Sequence, residues 1–470
     1  MRHRLFPVAV ALSLVLAACG SATAGQSGAK VGGDWTRFGY DAARHNAGPA
    51  KTGITSANVG KLRRQRVTLD GTVDASPIYL RGVKIHGASH DAFFVTTSYG
   101  RTIAVDAANG AILWRFTPSS YPSLAGSYRI TNSTPVADPN RKFIYAASPD
   151  GRVHKLSVAG GTEARGWPVR VTLFAQREKL GTSLNFSRGL VLIATGGYIG
   201  DQPPYQGHVV AIRASSGRII HVWNSLCSNV HRLLNPRNCP QSNSAIWARS
   251  GVVVAPGTGN LLVATGNGRF DGQRNWGDSA LMLTPNASRL LRNWTPRNQA
   301  SLESSDGDLG STAPALVGQG LALQGGKDAK LRLLSLSRLG GRVGATGGEL
   351  QTLTAPGGAG VFTAPAVWRN RVFVATDAGL ACYVLRGQRL HLSWRKSSGG
   401  TSPVVAGGLL YVYNGSLNVY APTTGRQLAS FRVGGSHWNS PIATDGRVAV
   451  PEGDANDHST RGALNIFRLP

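Results

Sequence analysis

The stretch TIAVDAANGAILWRF, residues 102–116, is a short β run, a turn carrying Asn109 and Gly110, and a second β run rich in aromatics. Two such runs around an Asn-Gly step predict a hairpin. The phrase recurs as HVVAIRASSGRIIHVW (208–223), SALMLTPNASRLLRNW (279–294) and LNVYAPTTGRQLASF (417–431). The second and third of these align without a gap, which places Ser288 where Gly217 stands. Trp114 follows Gly110 by four residues, whereas Trp223 and Phe431 follow Gly217 and Gly425 by six. Both offsets are even, so each aromatic falls on the same strand face relative to its glycine. A hairpin repeated along a chain predicts a repeat architecture.

A second signature precedes the hairpins, a Ser/Thr-Pro or similar step leading into a β run. It reads ASPIYL (75–80), STPVAD (133–138), TAPALV (312–317), TAPAVW (363–368), TSPVVA (401–406) and NSPIAT (439–444). GTSLNFSRGLVLIATGG (181–197) and AIWARSGVVVAPGTGNLLVATGN (245–267) fill the gap between Pro135 and Pro314. Eight units result, each with an inner, a middle, a third and an aromatic-ending outer strand. The expected fold is therefore all-β, an eight-bladed propeller of four-stranded antiparallel blades, which leaves only short protected edges. The last unit ends at ALNIFRLP (463–470) after three strands, while LRRQRVTL (62–69) precedes the first unit with no hairpin of its own. Pairing of these terminal strands closes the ring.

The 470 residues allow one large β unit, and the 60 glycines and 24 prolines lie at strand boundaries, as many tight turns require. At the N-terminus, Arg2, His3 and Arg4 precede the apolar run Leu5–Ala18, too short for a comfortable membrane span. Leu16-Ala17-Ala18-Cys19 resembles the bacterial lipobox, in which the cysteine is acylated; a conventional secretory signal is the alternative. The expected layout is a lipoprotein signal over 1–19, a flexible tether over 20–33 and a propeller over 34–470. The body then sits on the outer face of a bacterial plasma membrane, or in a periplasm. There Cys227 and Cys239, flanking an eleven-residue loop, are expected to bridge, with two free thiols as the alternative. Cys382, in LACYVL, reads as a buried strand thiol. The formal charge of +27 favours anionic envelope components or an acidic envelope protein as partners, and the export signal argues against nucleic acid. The compact basic run is KLRRQR at 61–66.

The phrase A-x-D-x-x-x-G-x-x-x-W at 104–114 resembles the repeat of the pyrroloquinoline-quinone (PQQ) enzyme family. DWTRFGYDAARHNAGPA and ITSANVGKL, within 34–62, look like that family's lead-in. The resemblance covers nearly the whole chain beyond the tether. It embraces PQQ-dependent alcohol dehydrogenases and non-catalytic relatives such as outer-membrane assembly lipoproteins of the BamB kind. For a dehydrogenase it implies PQQ stacked on Trp247 in AIWARS, calcium held in part by Asn267 in LLVATGNG, and Lys327 in GGKDAKLRLL reaching the quinone oxygens. Asp306 or Asp308, in SSDGDLGSTAP, is the implied catalytic base. The chemistry is coherent: a hard cation takes carboxylate and amide oxygens, a quinone takes a flat aromatic bed, and a base takes the alcohol proton.

Two departures stand against activity. The loop GGYIGDQPPYQGHVVAI (196–212) lacks the calcium-binding Glu of those enzymes and offers only Asp201. Their vicinal cysteine pair is replaced by SSYPSLAGS (119–127). Each matched residue also has a plainer reading: Trp247 as filler of the propeller centre, Asn267 as a turn residue, Lys327 and Asp308 as rim charges or a pair across a blade. GDANDH (453–458), preceded by Glu452, gathers acids without the spacing of a known calcium loop. No H-E-x-x-H, G-x-S-x-G, Walker-type loop or paired C-x-x-C occurs, which leaves zinc protease, serine hydrolase and nucleotide-binding readings unsupported. The expected function is a binding or scaffold module of the bacterial envelope; the alternative is a PQQ- and calcium-dependent dehydrogenase with an incomplete site.

Overall fold

Eight four-stranded antiparallel sheets account for nearly all the regular structure in the computed structural model, which describes Met1 and residues 32–470. The signal, the lipobox with Cys19 and the tether to residue 31 lie outside the described residues. Blade one comprises Ile78–Ile85, Ala88–Thr96, Thr102–Asp106 and Ile112–Phe116. Blades two to seven follow in chain order, the seventh ending with Gln427–Arg432. Among the described residues no helix is long and apolar enough to cross a membrane.

The four recurrent phrases form the outer hairpins of blades one, three, four and seven. Three aromatics occupy equivalent register positions, with Val209 opposite Trp223, Ala280 opposite Trp294 and Leu417 opposite Phe431, whereas Trp114, opposite Ala104, lies two positions nearer the turn and Phe116, opposite Thr102, takes the matching place. In each hairpin the register shifts between that pair and the turn, a bulge that increases the local twist. Packing between blades explains why glycine recurs in the turn. A Cβ on Gly161 would stand 2.6 Å from the Trp114 ring of the blade before, and one on Gly425 would stand 2.8 Å from Trp394. The fourth blade keeps the ungapped register of the third pair for pair, but its left-handed residue is Ala287 (φ +60°), one position before Ser288. Thr284 and Asn286 side chains accept the Ser288 amide there and hold a tighter turn without glycine.

Closure is as the terminal strands predict. Arg63–Leu69 pairs antiparallel with Gly462–Arg468, in the register Arg63↔Arg468 to Leu69↔Gly462. It is the outer strand of blade eight, beyond Arg447–Glu452 and Ile442–Thr444. The basic run is therefore structural in part, because the Arg64 and Arg66 guanidinium groups both reach the Glu452 carboxylate. Arg64 Nε also donates to Asn465 Oδ1 at 2.7 Å.

The lead-in has a role that its local pattern does not reveal. Residues 33–52 bond in turn to blade one (Trp35 with Tyr79), two (Ala137 to Thr36), three (Arg44 to the Leu184 carbonyl), four (Val254 to Ala42), six (Val367 to His45) and seven (Val405 to Asn46). Gly33 and Thr52 reach blade eight through Thr444 and Gly446. These contacts lie where the inner strands end, so the segment spans that end of the ring. The opposite end, where inner strands begin, carries the cavity described below.

Cys227 and Cys239 are joined by a disulfide, with Cα atoms 6.2 Å apart, which closes the loop after blade three beside Leu226 and Leu234. Cys382 is a free buried thiol whose ionisation burial disfavours.

Candidate functional site

A cavity of about 800 Å³ opens at the end of the ring where the inner strands begin. Its walls come from segments that enter inner strands, such as 245–249, 306–308 and 436–438, and from segments that leave middle strands, such as 196–201, 267 and 327. This convergence of loops from different blades on one axis is what a propeller supplies to a ligand site.

All five matched side chains meet here. Trp247 Nε1 donates to Asp308 Oδ2 at 3.1 Å. Lys327 Nζ lies 2.7 Å from Asp306 Oδ1 and 3.3 Å from Asp308 Oδ2, and 5.3 Å from the centre of the Trp247 ring. Asn267 Nδ2 donates to Asp306 Oδ1 at 2.6 Å. Lys327 and Asp308 are thus a pair across a blade, the fifth, one of the plainer readings, and they form that pair inside the cavity. Glycine permits the approach: a Cβ on Gly266 would stand 2.3 Å from Asp308 Oδ1, and one on Gly196 would stand 2.9 Å from Trp247 Cβ.

Burial and charge set the protonation. Burial pushes the Asp308 carboxyl up to about 6 against the pull of Lys327. Lys327 is held above the ordinary lysine value, since Asp308 and Asp306 outweigh its partial desolvation. Behind them Asp278 is fully buried and accepts the Leu309 amide at 3.2 Å. Burial, then the Asp308 charge, push it up to about 8.

A folded-state value above the unfolded one means that native Asp278 holds its proton longer. Its contribution to stability is complete at acid pH and is lost as pH rises through about 8. Asp278→Asn lacks this component, so the variant should gain on the parent as pH rises from about 4 to 8, by roughly 1.4 kcal/mol for each pH step of one within that window. Urea denaturation of both proteins at pH 5, 7 and 9 measures the difference; a constant difference would exclude the effect.

The aromatic bed is larger than Trp247. Trp438 stacks on it, with centroids 5.8 Å apart and planes at 20°, and Phe362 packs at 6.0 Å. Both stand four residues before an inner strand, in FTAP (362–365) and WNSP (438–441), and an aromatic ahead of the Ser/Thr-Pro signature was the available signal. Cations flank the bed: Arg249 lies 4.2 Å and Lys179 5.4 Å from the Trp438 ring centre. His437 stacks on Trp438, and its Nδ1 lies 2.6 Å from Asp74 Oδ2 and 3.1 Å from Asp454 Oδ1. Asp74 also accepts from the Trp438 and Ala455 amides and from Asn132. These donors outweigh complete burial and hold Asp74 below the usual carboxylate range. Asp454, from GDANDH, is thereby a partner of a hydrogen-bonded cluster, and Glu452 belongs to ring closure.

The observed donors bear on whether a hard cation and a quinone fit this cavity. Asn267 Oδ1 is a buried acceptor that no donor reaches, beside the Asp306 carboxylate; together they offer the oxygens such a cation takes. Asp201, the acid in place of the expected Glu, lines the cavity and accepts the Tyr205 hydroxyl at 2.8 Å. SSYPSLAGS forms the short helix Tyr121–Leu124, whose Leu124 packs with Tyr99 and Ala455. The donor set and the aromatic bed fit the group, with Asp201 as the altered element.

Comparison with known proteins agrees with this architecture. The family model described as outer membrane protein assembly factor BamB matches residues 66–428, and the chain belongs to this family of PQQ-type propellers. Among curated proteins it is 27% identical over 200 residues to quinohemoprotein alcohol dehydrogenase ADH IIB of Pseudomonas putida, a match covering 40% of this chain and 26% of that one. A second quinohemoprotein alcohol dehydrogenase of that organism, ADH-IIG, is 27% identical over 195 residues, covering 40% of this chain and 25% of its own length. The match thus spans about a quarter of these curated relatives. Among solved structures, the quinohemoprotein alcohol dehydrogenase from Comamonas testosteroni superposes with a TM-score of 0.68 at 15% identity, covering 93% of this chain and 80% of that one. BamB from Moraxella catarrhalis superposes with a TM-score of 0.52 at 11% identity, covering 86% of this chain and 98% of that one. These superpositions establish the shared fold.

Proposed function

We propose that this chain is a ligand-binding propeller of the bacterial envelope whose axial cavity takes a flat, carboxylate-bearing quinone of the PQQ type together with calcium. The observation that supports the reading is the convergence of Trp247, Asn267, Lys327, Asp306 and Asp308 within direct contact of one another in a single cavity. A scaffold needs no such convergence, because its partner docks on an outer surface. In this reading Trp247 and Trp438 form the bed, and Lys327 supplies a cationic donor to the quinone oxygens. Asn267 Oδ1 and the Asp306 carboxylate hold the calcium, with Asp201 near the place of the missing Glu.

When bound, such a cofactor supplies a two-electron acceptor. The chain's own part in an alcohol oxidation is proton removal, for which Asp308 is suited: its value near 6 leaves it mostly ionised at neutral pH. Dehydrogenase activity is the second reading, favoured by that carboxylate and by the named relatives. The basic n-region and Cys19 support a lipid-anchored position on the outer face of the plasma membrane, or in a periplasm. The charge of +27 supports anionic envelope components or an envelope protein as neighbours there, and not nucleic acid.

Titration with PQQ, with and without calcium, tests the reading. Saturation at a hundred times Kd should add about 2.7 kcal/mol of stability, read as a calcium-dependent rise in Tm. Alcohol-dependent dye reduction under the same conditions would add the dehydrogenase activity. An unchanged Tm at saturating cofactor would leave a protein-binding propeller.

A further inference from the structure

Lys179 stands apart from the other cations of the cavity. Its side chain is nine-tenths buried, lines the cavity, and makes no hydrogen bond through Nζ. A largely buried ammonium that no acceptor among the described residues reaches turns its three donors to the cavity. The nearest carboxylates do not supply them. Asp74 is saturated by His437, Asn132 and two backbone amides, and Asp454 is engaged with His437 and the Asn456 amide. Lys179 is fixed by the short ladder in which Glu178–Lys179 pairs with Gly196–Gly197.

Arg249 completes the wall. It is 7% exposed, and its Nε donates to the Phe362 carbonyl at 2.9 Å and its Nη1 to the His437 carbonyl at 3.3 Å. These bonds hold the guanidinium carbon 4.2 Å from the Trp438 ring centre, and among the described residues no acceptor reaches Nη2. Two like charges thus flank one indole ring, at 4.2 and 5.4 Å from its centre. Burial lowers Lys179 to about 8, opposed by Asp74 and Asp454 and reinforced by Arg249, and lowers Arg249 to about 9, opposed by Asp74, by Asp377 across the cavity lining and by Asp454. An anionic group between them would satisfy the open donors and relieve the repulsion.

We propose that Lys179 and Arg249 form a carboxylate-binding subsite over Trp438, so that what enters the cavity carries an anionic group at this end. The carboxylate belongs either to the quinone itself or to a separate acid bound beside it. The first case rests on the quinone reading above; the second stands without it.

The test is equilibrium binding to the full-length protein, followed by tryptophan fluorescence, with PQQ plus calcium, PQQ trimethyl ester plus calcium, and oxalate as probes. Lys179→Met is the main variant, because Nζ holds no internal bond and its loss should leave folding intact. Lys179→Arg should restore binding, and Arg249→Gln is the second variant. Weakening of PQQ by tenfold or more in Lys179→Met, with the ester unaffected, assigns the carboxylate to the quinone. Weakening of oxalate alone assigns it to a separate acid. Oxalate binding to wild type should also fall as pH rises through about 8, as Lys179 loses its proton among Asp74, Asp454, His437 and Arg249, and Lys179→Met should lack that fall. Equal affinities of wild type and both variants for PQQ and oxalate would overturn the subsite. Failure of wild type to bind PQQ, with oxalate still bound through Lys179, would sink the quinone reading alone.

Discussion

Lys327→Ala is expected to weaken calcium-dependent PQQ binding by two orders of magnitude or more, and to abolish any alcohol-dependent turnover. The expectation follows from what the ammonium holds together. It lies within ion-pair distance of Asp306 and Asp308 and 5.3 Å from the Trp247 ring centre, so its removal takes away the one cation that both carboxylates and the bed share. Asp308, only 6% exposed, would lose the cation that opposes its desolvation. Its carboxyl would then titrate above the present value of about 6 and be largely neutral near pH 7. A neutral carboxyl is a poor base, and the local field that orders the calcium oxygens changes with it. Truncating one partner of a desolvated charge contact costs a complex roughly 2–5 kcal/mol, and about 2.7 kcal/mol corresponds to a hundredfold in affinity. Calorimetric titration of wild type, Lys327→Ala and Lys327→Arg measures this, the arginine variant retaining part of the affinity. Wild-type binding by Lys327→Ala would place the cofactor elsewhere, or nowhere.

The second large effect concerns closure. Val67→Asp with Leu69→Asp should lower Tm by more than ten degrees, or leave no soluble monomer. Val67 and Leu69 are 7% and 1% exposed, and Val67 packs where a Cβ on Gly110 of blade one would stand, at 2.7 Å. Two carboxylates placed there would be buried without partners, at several kcal/mol each. Peeling this strand would uncover Gly462–Arg468 as an open edge along seven residue pairs, a template for aggregation. Glu452→Gln is the contrasting control. It weakens the Arg64 and Arg66 pairs at the surface and should cost no more than about 1–2 kcal/mol. Thermal melts by circular dichroism with size-exclusion chromatography separate the outcomes. A double variant that melts like wild type would mean that the ring does not depend on this strand.

The hairpins, their glycines, the Ser/Thr-Pro entries and the outer strand of blade eight were legible in the sequence. Each is a local regularity: alternation with period two, a turn residue at a fixed offset, and a strand left over at one end matched by a strand missing at the other. Trp247, Asn267, Asp306, Asp308 and Lys327 were legible through resemblance, because each sits in a short phrase on blade four or five. The lead-in was recognised as a segment, but nothing in its residues shows that it bonds to seven of the eight blades. Its bonds to them run mostly through backbone groups, which carry no sequence signal.

The sequence by itself therefore determined the architecture: eight sheets, their order, and closure between the chain's terminal strands. A repeated fold is written once per repeat, in near-neighbour patterns of burial and turn chemistry. Only the tertiary structure decided the cavity. Lys179, Arg249 and Trp438 come from blades three, four and eight and share no motif, yet both cations lie within reach of the Trp438 ring. His437 and Asp74 are 363 positions apart and hydrogen-bonded. The physical reason is circular geometry. Closing the ring makes residues neighbours according to their angle and height about the axis, and sequence separation measures neither.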